Sequence, residues 1–558
     1  MLDGVALVDA LAVGVERRLS TVDFIGAGPR TVAGVLEAAG VRTLIVPAEV
    51  VFEKPRVLED FSVLFVSGMI TDLPAVKRVM RIWKRRGGPI IVGGPISNAG
   101  PRLLALGADV VVFGEAEGTL VELLNKTSLL EGRVIPEELA EIRGLMFSRG
   151  GEVFFTGRRP PLSSQELASL RPSTELIRCY PRFWANRVYV EVTRGCSNAR
   201  ISPASLLRGR PYPGCAYCGV VATWGPSRSI PLDRIKRDIE GLIDEGVRRI
   251  VLGGSDFLDY GRGDLLEDPR HPPPNLEAVG RLLEEVFSIP EVAVGEVTVM
   301  IENLKPSTLN EEAATLLGSY LRGTSVNLGI ETGDESLSKS LGRPFTVEEA
   351  IRAVSLLLRE GMKPHVYLIY GLPGQTRESV EATLSLIDKL EAMGVEKITL
   401  YRFTPLPRTG LEDAEPGRPE DPLNRVLIKR VRAFNVKAKK RMIGEKLNVI
   451  VAAKLRGRYI AYPVKHGPVV EIPENDSPKE ILGRRAKVLI TDIVTDRMLR
   501  GSVITVGRPV AREDIWTRFL GSERASLPPE PSDRTRELKR RRPIRGHDAR
   551  TRGGVRRT

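Results

Sequence analysis

The chain has 558 residues, of which 42% are hydrophobic, and it carries a formal net charge of +13. This length predicts about three domains, and the hydrophobic fraction is ample for a core in each. Because no run of about 18 apolar residues occurs and the first residues carry no basic start, we expect neither a membrane span nor a signal peptide, and hence a cytoplasmic protein.

The basic excess favours a polyanionic partner, nucleic acid first. Part of the charge lies in residues 522–558, which are rich in Pro, Arg and Glu and are predicted to be a disordered basic tail. A basic protein without a polyanionic partner stays open as the alternative.

Residues 1–130 alternate apolar strands with amphipathic helices, which predicts a doubly wound parallel sheet of the α/β class. Several loops that follow strands contain glycine, at the edge where open sheets bind ligands. The predicted strands are Thr43–Val46, Val63–Ser67, Pro89–Gly93 and Asp109–Gly114, with a helix over Asp72–Arg86. Residues 131–185 are predicted to be a mixed connector, because prolines interrupt them.

Strand–helix alternation resumes over residues 186–412, where six βα units favour a (β/α)6 partial TIM barrel with its chemistry at the carboxyl ends of the strands. The predicted strands are Val188–Thr193, Arg249–Gly253, Ala293–Met300, Ser325–Ile330, His365–Ile369 and Lys397–Phe403. The predicted helices are Leu232–Glu245, Leu276–Val286, Asn310–Leu317, Val347–Glu360 and Arg377–Met393.

The C-terminal part combines a basic helix with a small all-β region. The helix is predicted within residues 413–446. Short strand-like runs between residues 447 and 510 predict a five-stranded β-barrel. These runs are Val449–Ala453, Tyr459–Val464, Val469–Ile472, Ala486–Ile493 and Gly501–Thr505.

Three of the four cysteines, Cys196, Cys215 and Cys218, lie close together in sequence. So few cysteines do not make a disulfide scaffold in so long a chain, and their clustering favours a metal. Thiolates suit iron–sulfur clusters and zinc, and a cluster with three cysteine ligands leaves one iron open to a small molecule. A structural zinc site with Cys179 as fourth ligand is the alternative, although only Cys215 and Cys218 form a paired knuckle. Cys179 is otherwise a buried thiol or a second functional sulfur.

The stretches EVTRGC, ending at Cys196, and CAYCG, starting at Cys215, resemble the cysteine loop of the radical S-adenosylmethionine (SAM) superfamily, with Tyr217 as its aromatic residue. The resemblance implies that the three thiolates hold a [4Fe–4S] cluster, that SAM chelates the open iron and that Tyr217 is one of the cofactor-binding residues. An electron donor would reduce the cluster, and SAM would be cleaved to methionine and a 5′-deoxyadenosyl radical. The chain departs from the family between the first two cysteines, where residues 197–214 replace a much shorter spacer.

Further blocks resemble the SAM-binding segments of MiaB-like members of the superfamily. Gly253 and Gly254 match a turn that binds the SAM amino group, with Ser255 and Asp256 in place of its glutamate. The segment NLGIETG implies that Glu331 contacts SAM at the ribose and that Arg343 lies near it. A salt bridge within the barrel is the alternative for Glu331.

The flanking regions also resemble known domains. The segment starting at Gly93 is similar to cobalamin-binding domains that precede many radical SAM cores, but no histidine occurs before His271, so cobalamin would have to bind without a histidine ligand. Methylthiotransferases carry extra N-terminal cysteines that are absent here, so that activity is not expected. Residues 447–508 resemble a TRAM domain, an RNA-binding barrel. The candidate phosphate contacts there are Lys454, Arg456, Arg458, Lys465, Arg484 and Arg485.

Together the resemblances, the basic tail and the overall charge predict a radical SAM enzyme that modifies RNA at an unactivated carbon, with tRNA as the leading substrate class. Two alternatives stay open. One is a cobalamin-using radical SAM methyltransferase acting on a small metabolite or lipid, and the other is a zinc-stabilised RNA-binding protein without catalysis.

Overall fold

The computed structural model describes residues 4–10, 23–201, 212–478 and 480–516, and the architecture below is that of these residues. The first elements alternate between strands and helices. In chain order they are β1 (Val5–Asp9), β2 (Phe24–Ile25), α1 (Gly28–Ala38), β3 (Thr43–Pro47), α2 (Ala48–Glu53), β4 (Val63–Ser67), α3 (Leu73–Lys84), β5 (Ile90–Gly93), α4 (Gly100–Leu106), β6 (Val110–Val112), α5 (Glu117–Lys126), α6 (Pro136–Ala140), β7 (Leu145–Arg149), β8 (Glu152–Phe155) and α7 (Ser164–Ser169).

The first sheet has the strand order β3-β1-β4-β5-β6-β7-β8. The strands from β3 to β6 run parallel, and every residue of β1 is buried. Such continuous apolar strands are typical of parallel sheets that are covered on both faces. The predicted doubly wound sheet is therefore confirmed.

This sheet continues past residue 130, where a connector was predicted. β7 pairs antiparallel with β6, and β8 pairs antiparallel with β7. Between them, Gly150 and Gly151 have φ values of 60° and 87°, in the left-handed region that a two-residue hairpin turn requires. The Gly-Gly pair is the sequence signal that the connector prediction overlooked.

The central region repeats the strand–helix pattern. Its elements are β9 (Arg187–Glu191), β10 (Thr193–Arg194), α8 (Val220–Trp224), β11 (Arg228–Ser229), α9 (Leu232–Glu245), β12 (Arg249–Gly253), α10 (Leu276–Phe287), α11 (Pro290–Ala293), β13 (Thr298–Ile301), β14 (Asn303–Leu304), α12 (Glu311–Leu321), β15 (Ser325–Glu331), α13 (Glu335–Ser340), α14 (Val347–Arg359), β16 (Lys363–Tyr370), α15 (Arg377–Ala392) and β17 (Lys397–Arg402).

β10 and β11 pair with each other antiparallel, and the other strands, together with β2, form two parallel sheets, β13-β12-β9-β2 and β14-β15-β16-β17. Only Glu302 separates β13 from β14, so the two sheets follow one another as a partial barrel of six βα units, as predicted. The strand predicted over Ala293–Met300 is wrong at its start, because residues up to Ala293 form α11 and Gly295, with φ of 73°, follows it. Pro290 at the first helical position favours this short helix.

β2 comes from the N-terminal part of the chain but joins the barrel at the edge of β9. Next to it, Asp23 pairs with Arg187 at 3.0 Å and with Arg249 at 2.8 Å. Arg30 of α1 pairs with Asp238 of α9 at 2.7 Å, and both side chains are buried. A shared strand and these ion pairs therefore join the first sheet to the barrel.

Side chains that point into the barrel are more accessible to solvent than those that point out to the helices. Along β16, Val366 and Leu368 are buried, whereas His365 and Tyr367 are only partly buried. The lumen is therefore polar and accessible rather than an apolar core. Other lumen residues are Tyr189, Glu302, Asn327 and Tyr401.

The C-terminal part contains α16 (Pro422–Lys440), β18 (Lys446–Leu455), β19 (Arg458–Pro463), β20 (Val469–Pro473), β21 (Arg484–Thr495) and β22 (Met498–Pro509). The five strands close into a barrel in the order β18-β19-β20-β22-β21, as predicted. Its core contains Val449, Val470, Val488 and Leu499, all fully buried. A closed barrel leaves no exposed sheet edge.

None of the helices within the described ranges has both the length and the apolar character needed to cross a bilayer. The predicted tail, residues 522–558, lies outside the described residues, as do residues 202–211 between the first two clustered cysteines.

Candidate metal centre and the adjoining cavity

The three clustered cysteines meet beside the carboxyl ends of β9 and β12. Cys196 follows β10, and Cys215 and Cys218 precede α8. A Cβ on Gly195 would lie 2.1 Å from the carbonyl oxygen of Pro226, and the residue has φ of 83°, so only glycine fits before Cys196. Burial raises the pKa of Cys218 to about 12, and the neighbouring Cys215 and Cys196 add to the shift. The structure therefore brings the three predicted ligands together.

The sulfur of Cys215 lies within hydrogen-bond range of two donors. Asn198 Nδ2 lies 3.3 Å from it, and Arg343 Nη1 lies 3.4 Å from it. Asn198 also donates to the carbonyl of Gly342 at 3.0 Å. Such donors stabilise the negative charge of a metal-bound thiolate. Because Asn198 belongs to the long segment after Cys196, that segment takes part in the site.

The three thiols fit an iron–sulfur cluster better than a single ion. Within the part of the chain that the structure describes, no group of three or more His, Cys, Asp or Glu side chains surrounds one metal-ion position. A cubane cluster binds its cysteines at separate irons, so its ligands stand further apart than those of one zinc ion. Cys179 lies elsewhere, buried beside Ile45 and Glu37. The zinc site with four cysteines is therefore wrong, because Cys179 does not join the other three.

Tyr217, Glu331 and Arg343, predicted to bind SAM, form one group beside Cys215. Arg343 donates to the hydroxyl of Tyr217 at 2.9 Å and lies 3.8 Å from the carboxylate of Glu331. Glu331 ends β15 with φ of 71°, a strained backbone conformation of the kind that clusters at functional sites. Burial raises the pKa of Glu331, while Arg343 and Tyr217 oppose the shift.

The turn at Gly253, Gly254 and Ser255 packs against the residues that precede Cys196. A Cβ on Gly254 would lie 2.0 Å from the hydroxyl of Thr193, and one on Gly253 would lie 3.1 Å from a tyrosine ring. Ser255 donates a hydrogen bond to the carbonyl of the glycine before Cys196. The two glycines thus permit a close approach that other residues would prevent.

Asp256 offers no exposed oxygen to a ligand. Its fully buried carboxylate accepts hydrogen bonds from the backbone amide of Lys305 at 3.2 Å and from the hydroxyl of Thr308 at 2.9 Å. Burial raises the pKa of Asp256 to about 6, with Lys305 opposing. This carboxylate ties the loop after β12 to the segment after β14, and the role of Asp256 in SAM binding stays a prediction.

A buried network of ion pairs lies next to Cys196, and it was not predicted from the sequence. Lys305 donates to the hydroxyl of Ser197 at 2.7 Å and to Asp259 at 3.0 Å, and Arg262 pairs with Asp259 at 2.7 Å. Burial lowers the pKa of Lys305, but Asp259, Cys196 and Asp256 together outweigh burial and leave the pKa raised. A charged ammonium group therefore lies next to Cys196. Since Lys305 and Ser197 are 108 residues apart, no local pattern indicates this contact.

An open cavity lies where the first sheet meets the cysteine loop. Its walls come from the carboxyl ends of the parallel strands, from α1 and α5, and from the barrel. The strand ends contribute Ser67, Gly93, Gly94 and Gly114, and the barrel contributes Glu191, Arg194 and Trp224.

Arg194, within the EVTRGC stretch, bridges the two sides of this cavity. It donates to Glu117 at 2.6 Å and to Glu191 at 2.7 Å, and it is almost fully buried. Burial raises the pKa of the nearby Glu115, and the positive charges of Arg194 and Arg228 oppose this rise. The sequence marked this arginine as part of a motif but gave no sign of its partners in the first domain.

The lining of the cavity offers no histidine ligand to a cofactor. Gly94, with φ of 82°, forms part of the wall, where a Cβ would lie 3.2 Å from the carbonyl of Gly68. No imidazole lies among the lining residues, which are all within the described part of the chain. The residues therefore fit cobalamin only in a form that takes no ligand from histidine.

Some of the basic residues predicted to contact RNA in the small barrel are bound by other protein groups, and others are exposed. Lys454 pairs with Glu474 at 2.6 Å, Arg458 pairs with Glu471, and Arg484 donates to the carbonyl of Gly507 at 3.2 Å. Arg485 donates to the backbone carbonyls of Gly295 and Glu296 in the large barrel, so it serves packing between the barrels rather than a free surface. Arg456 and Lys465 are exposed.

Two family models match the chain. The radical SAM superfamily model matches residues 190–387, which contain the three cysteines. The B12 binding domain model matches residues 20–124, which contain most of the first sheet.

The chain is similar to several known proteins. It is 40% identical over 533 residues to Uncharacterized protein MK0932 of Methanopyrus kandleri, covering 91% of this chain and 97% of that protein. It is 24% identical over 294 residues to the threonylcarbamoyladenosine tRNA methylthiotransferase MtaB of Thermotoga maritima, covering 50% of this chain and 59% of that protein. Among solved structures, the radical SAM methyltransferase TsrM of Kitasatospora setae, with cobalamin and a [4Fe–4S] cluster bound, gives a TM-score of 0.55. This likeness of fold comes with 17% identity and covers 74% of this chain and 77% of TsrM.

Proposed function

Since this chain belongs to the radical SAM superfamily and carries a B12-binding domain, we propose that it is a cobalamin-using radical SAM methyltransferase whose substrate is RNA. As a radical SAM enzyme it uses a [4Fe–4S] cluster and SAM, as its sequence predicts. When bound, the cluster supplies the electron for SAM cleavage and cobalamin supplies a methyl carrier.

The residues at the cysteine loop have separate tasks in this proposal. Cys196, Cys215 and Cys218 hold the cluster, and Asn198 and Arg343 donate to the sulfur of Cys215. Glu331 accepts a ribose hydroxyl of SAM, and the Gly253-Gly254 turn binds its amino group. Arg343 keeps Glu331 and Tyr217 in place through contacts of 3.8 and 2.9 Å.

The cavity between the first sheet and the barrel is the observation that carries the cobalamin part of the proposal. One wall belongs to the B12-binding domain, and the opposite wall contains Glu191 and Arg194 of the cysteine loop. A ligand there would therefore lie next to the residues that precede Cys196. Glu115 and Glu117 give this cavity an acidic rim that Arg194 partly neutralises.

Cobalamin binding is tested by filling this cavity. Val32 of α1 lines the cavity, whereas Val121 of α5 is 42% exposed and does not. We expect Val32→Trp to abolish the absorbance change that hydroxocobalamin shows on binding, and Val121→Trp to leave it intact. Equal binding by the wild type and both variants, or no binding by the wild type, would refute the assignment of this cavity to cobalamin.

SAM cleavage is tested separately. Anaerobically reconstituted protein is given SAM and dithionite, and 5′-deoxyadenosine is measured. The wild type should produce the nucleoside, and the variant Cys215→Ala, Cys218→Ala should not. Production by the variant at the wild-type rate would exclude these cysteines as cluster ligands.

RNA is proposed as the substrate because the chain carries an excess of positive charge. The net charge is +13, a small β-barrel follows the core, and the distant relative MtaB is named as a tRNA-modifying enzyme. Lys and Arg side chains that meet phosphates supply most of the affinity of nucleic-acid-binding proteins.

Methylation of a small molecule is the second candidate, and the polar lumen favours it. Glu302 accepts hydrogen bonds from Tyr189 and from Asn327. The rings of Tyr367 and Tyr401 pack edge to face, with 5.3 Å between their centroids. Such a lumen would bind a small polar ligand through several hydrogen bonds. With methyl-labelled SAM, label in total RNA supports the first candidate, and label only in the small-molecule fraction of an extract supports the second.

A further inference from the structure

Helix α16 is strongly basic. No Asp or Glu occurs from Pro422 to Gly444, a stretch that contains eight Lys and Arg residues. Three of the eight are engaged: Arg430 pairs with Asp388 at 2.7 Å, Lys437 pairs with Glu391, and Lys439 is buried. The remaining five are exposed, and no hydrogen bond or ion pair involving their side chains occurs among the described residues. They are Arg425, Lys429, Arg432, Lys440 and Arg441.

Four of the five share one face of the helix. At roughly 100° per residue, Arg425, Lys429, Arg432 and Lys440 fall within an arc of about 80°. We call these four residues the basic stripe. At about 1.5 Å per residue, the stripe is roughly 22 Å long.

The opposite face of α16 is fixed against the barrel, so the basic stripe cannot turn inward. Leu427, Val431 and Phe434 are buried, and α16 packs against α15, β17 and β21. Asn435 accepts a hydrogen bond from the amide of Ile398 at 3.0 Å and donates one to its carbonyl at 2.8 Å. These contacts set the rotation of the helix and leave the stripe on the outside.

We propose that the basic stripe binds the phosphate backbone of RNA. This proposal rests on RNA being the substrate and assigns the surface that holds it. No acidic residue lies within α16, and Asp421, which caps the helix, accepts hydrogen bonds from two backbone amides of its first turn. By contrast, Lys454, Arg458 and Arg485 of the small barrel are engaged by protein groups. A membrane surface fits less well, because the apolar face of α16 is used within the protein and is not available to lipid.

The stripe continues toward the small barrel. Lys446 at the start of β18 and Lys487 of β21 are both exposed. Their strands pair with each other, and β21 packs against α16. An RNA backbone that follows the stripe would therefore reach the barrel that resembles an RNA-binding domain.

The test compares two variants that lose the same charge. The stripe variant carries Arg425→Gln, Lys429→Gln, Arg432→Gln and Lys440→Gln. The control variant carries Lys77→Gln, Arg81→Gln, Lys84→Gln and Arg85→Gln at exposed positions in and just after α3 of the first domain. Binding of unfractionated tRNA to the full-length protein is measured by fluorescence anisotropy at several salt concentrations, and thermal unfolding verifies that each variant is folded.

We expect the stripe variant to bind tRNA at least ~10-fold more weakly, with a salt slope reduced by about 2 to 4, because each lost phosphate contact removes about 0.7 to 0.9 from the slope. The control variant should stay near the wild type. Equal behaviour of the two variants would overturn the stripe as the contact surface while leaving RNA as partner. A wild type that does not bind tRNA at low salt would overturn the RNA proposal itself. Binding to phosphatidylserine vesicles is measured in the same way, and if the stripe variant loses only this binding, the stripe binds a membrane surface and not RNA.

Discussion

The guanidinium group of Arg194 lies 2.6 Å from the carboxylate of Glu117, and this buried ion pair joins the B12-binding domain to the cysteine loop of the barrel. Arg194 also pairs with Glu191 at the end of β9. One side chain therefore fixes the distance between the domain that holds the cavity and the loop that presents Cys196.

Removing this side chain should destabilise the protein. Arg194→Gln leaves Glu117 and Glu191 without their buried partner, and breaking such a pair from one side costs about 3–5 kcal/mol. We expect a loss of this order in the free energy of unfolding measured with urea, together with weaker hydroxocobalamin binding. Arg133→Gln is the control, because Arg133 and its partner Glu131 are both exposed. Equal stability of the two variants would argue against the bridging role.

The close approach at Gly254 should be open to rescue. Gly254→Ala places a Cβ about 2.0 Å from the hydroxyl of Thr193 and should displace the cysteine loop. We expect less iron per chain after reconstitution and a weaker EPR signal of the reduced cluster. Thr193→Ala removes the obstructing atom, so the double variant Gly254→Ala, Thr193→Ala should regain iron. A Gly254→Ala variant with the full iron content would contradict the steric argument.

Glu331 should affect SAM binding more than folding. Glu331→Gln removes the charge that accepts a ribose hydroxyl in the proposal, and a hydrogen bond to a charged group contributes about 1.5–3 kcal/mol. SAM affinity, measured by equilibrium dialysis of the reconstituted protein, should therefore fall at least ~10-fold. Glu348→Gln changes an exposed residue of α14 and serves as the control. If both variants bind SAM as the wild type does, Glu331 is only a partner of Arg343 within the barrel.

The contact between Glu396 and His466 should give stability a measurable pH dependence. Burial raises the pKa of Glu396, but His466 and Lys363 outweigh burial and lower it to about 2, from an unfolded value of 4.5. A carboxylate with a depressed folded pKa stabilises the fold above its unfolded pKa, and this stabilisation is lost as the pH falls toward the folded pKa.

The wild type should therefore exceed Glu396→Gln by about 3 kcal/mol at neutral pH, and the difference should shrink as the pH falls from about 5 to 3. Unfolding temperatures at several pH values test this expectation. The exposed Glu312→Gln provides the reference for changes in net charge. A difference that grows at low pH would reverse the sign and refute the explanation.

Regular elements with a strong local pattern were predicted with accurate bounds. α9 and β12 have the limits that the sequence indicates, because the helix is amphipathic and ends at Gly246 in the left-handed conformation, and the strand is an apolar run. β2 was not predicted, because two residues carry no periodicity and the strand forms only by pairing with β9. Tertiary contacts decide such short elements.

The residues of the site likewise fall into those that a local motif indicates and those that depend on tertiary contacts. The three cysteines and the glycines near β12 follow from local motifs, and the structure brings them together. Asp256 lies in a motif typical of a ligand-binding site, and its carboxylate pairs at 3.7 Å with Lys305, which follows β14 in the chain. The carboxylates that pair with Arg194 and Lys305 come from distant parts of the chain, so the sequence alone does not indicate which groups balance their charges.

β2 belongs to the first domain along the chain and to the barrel by its hydrogen bonds. Separating the two would require breaking that pairing together with the ion pairs of Asp23 and Arg30. A hinge motion that widens the cavity is therefore costly, and a bulky cofactor has to enter through the existing mouth of the cavity or bind before the two parts of the molecule come together. Occupancy should then depend on when the cofactor is supplied: high when it is present during refolding, and slow to develop when it is added to the folded apoprotein.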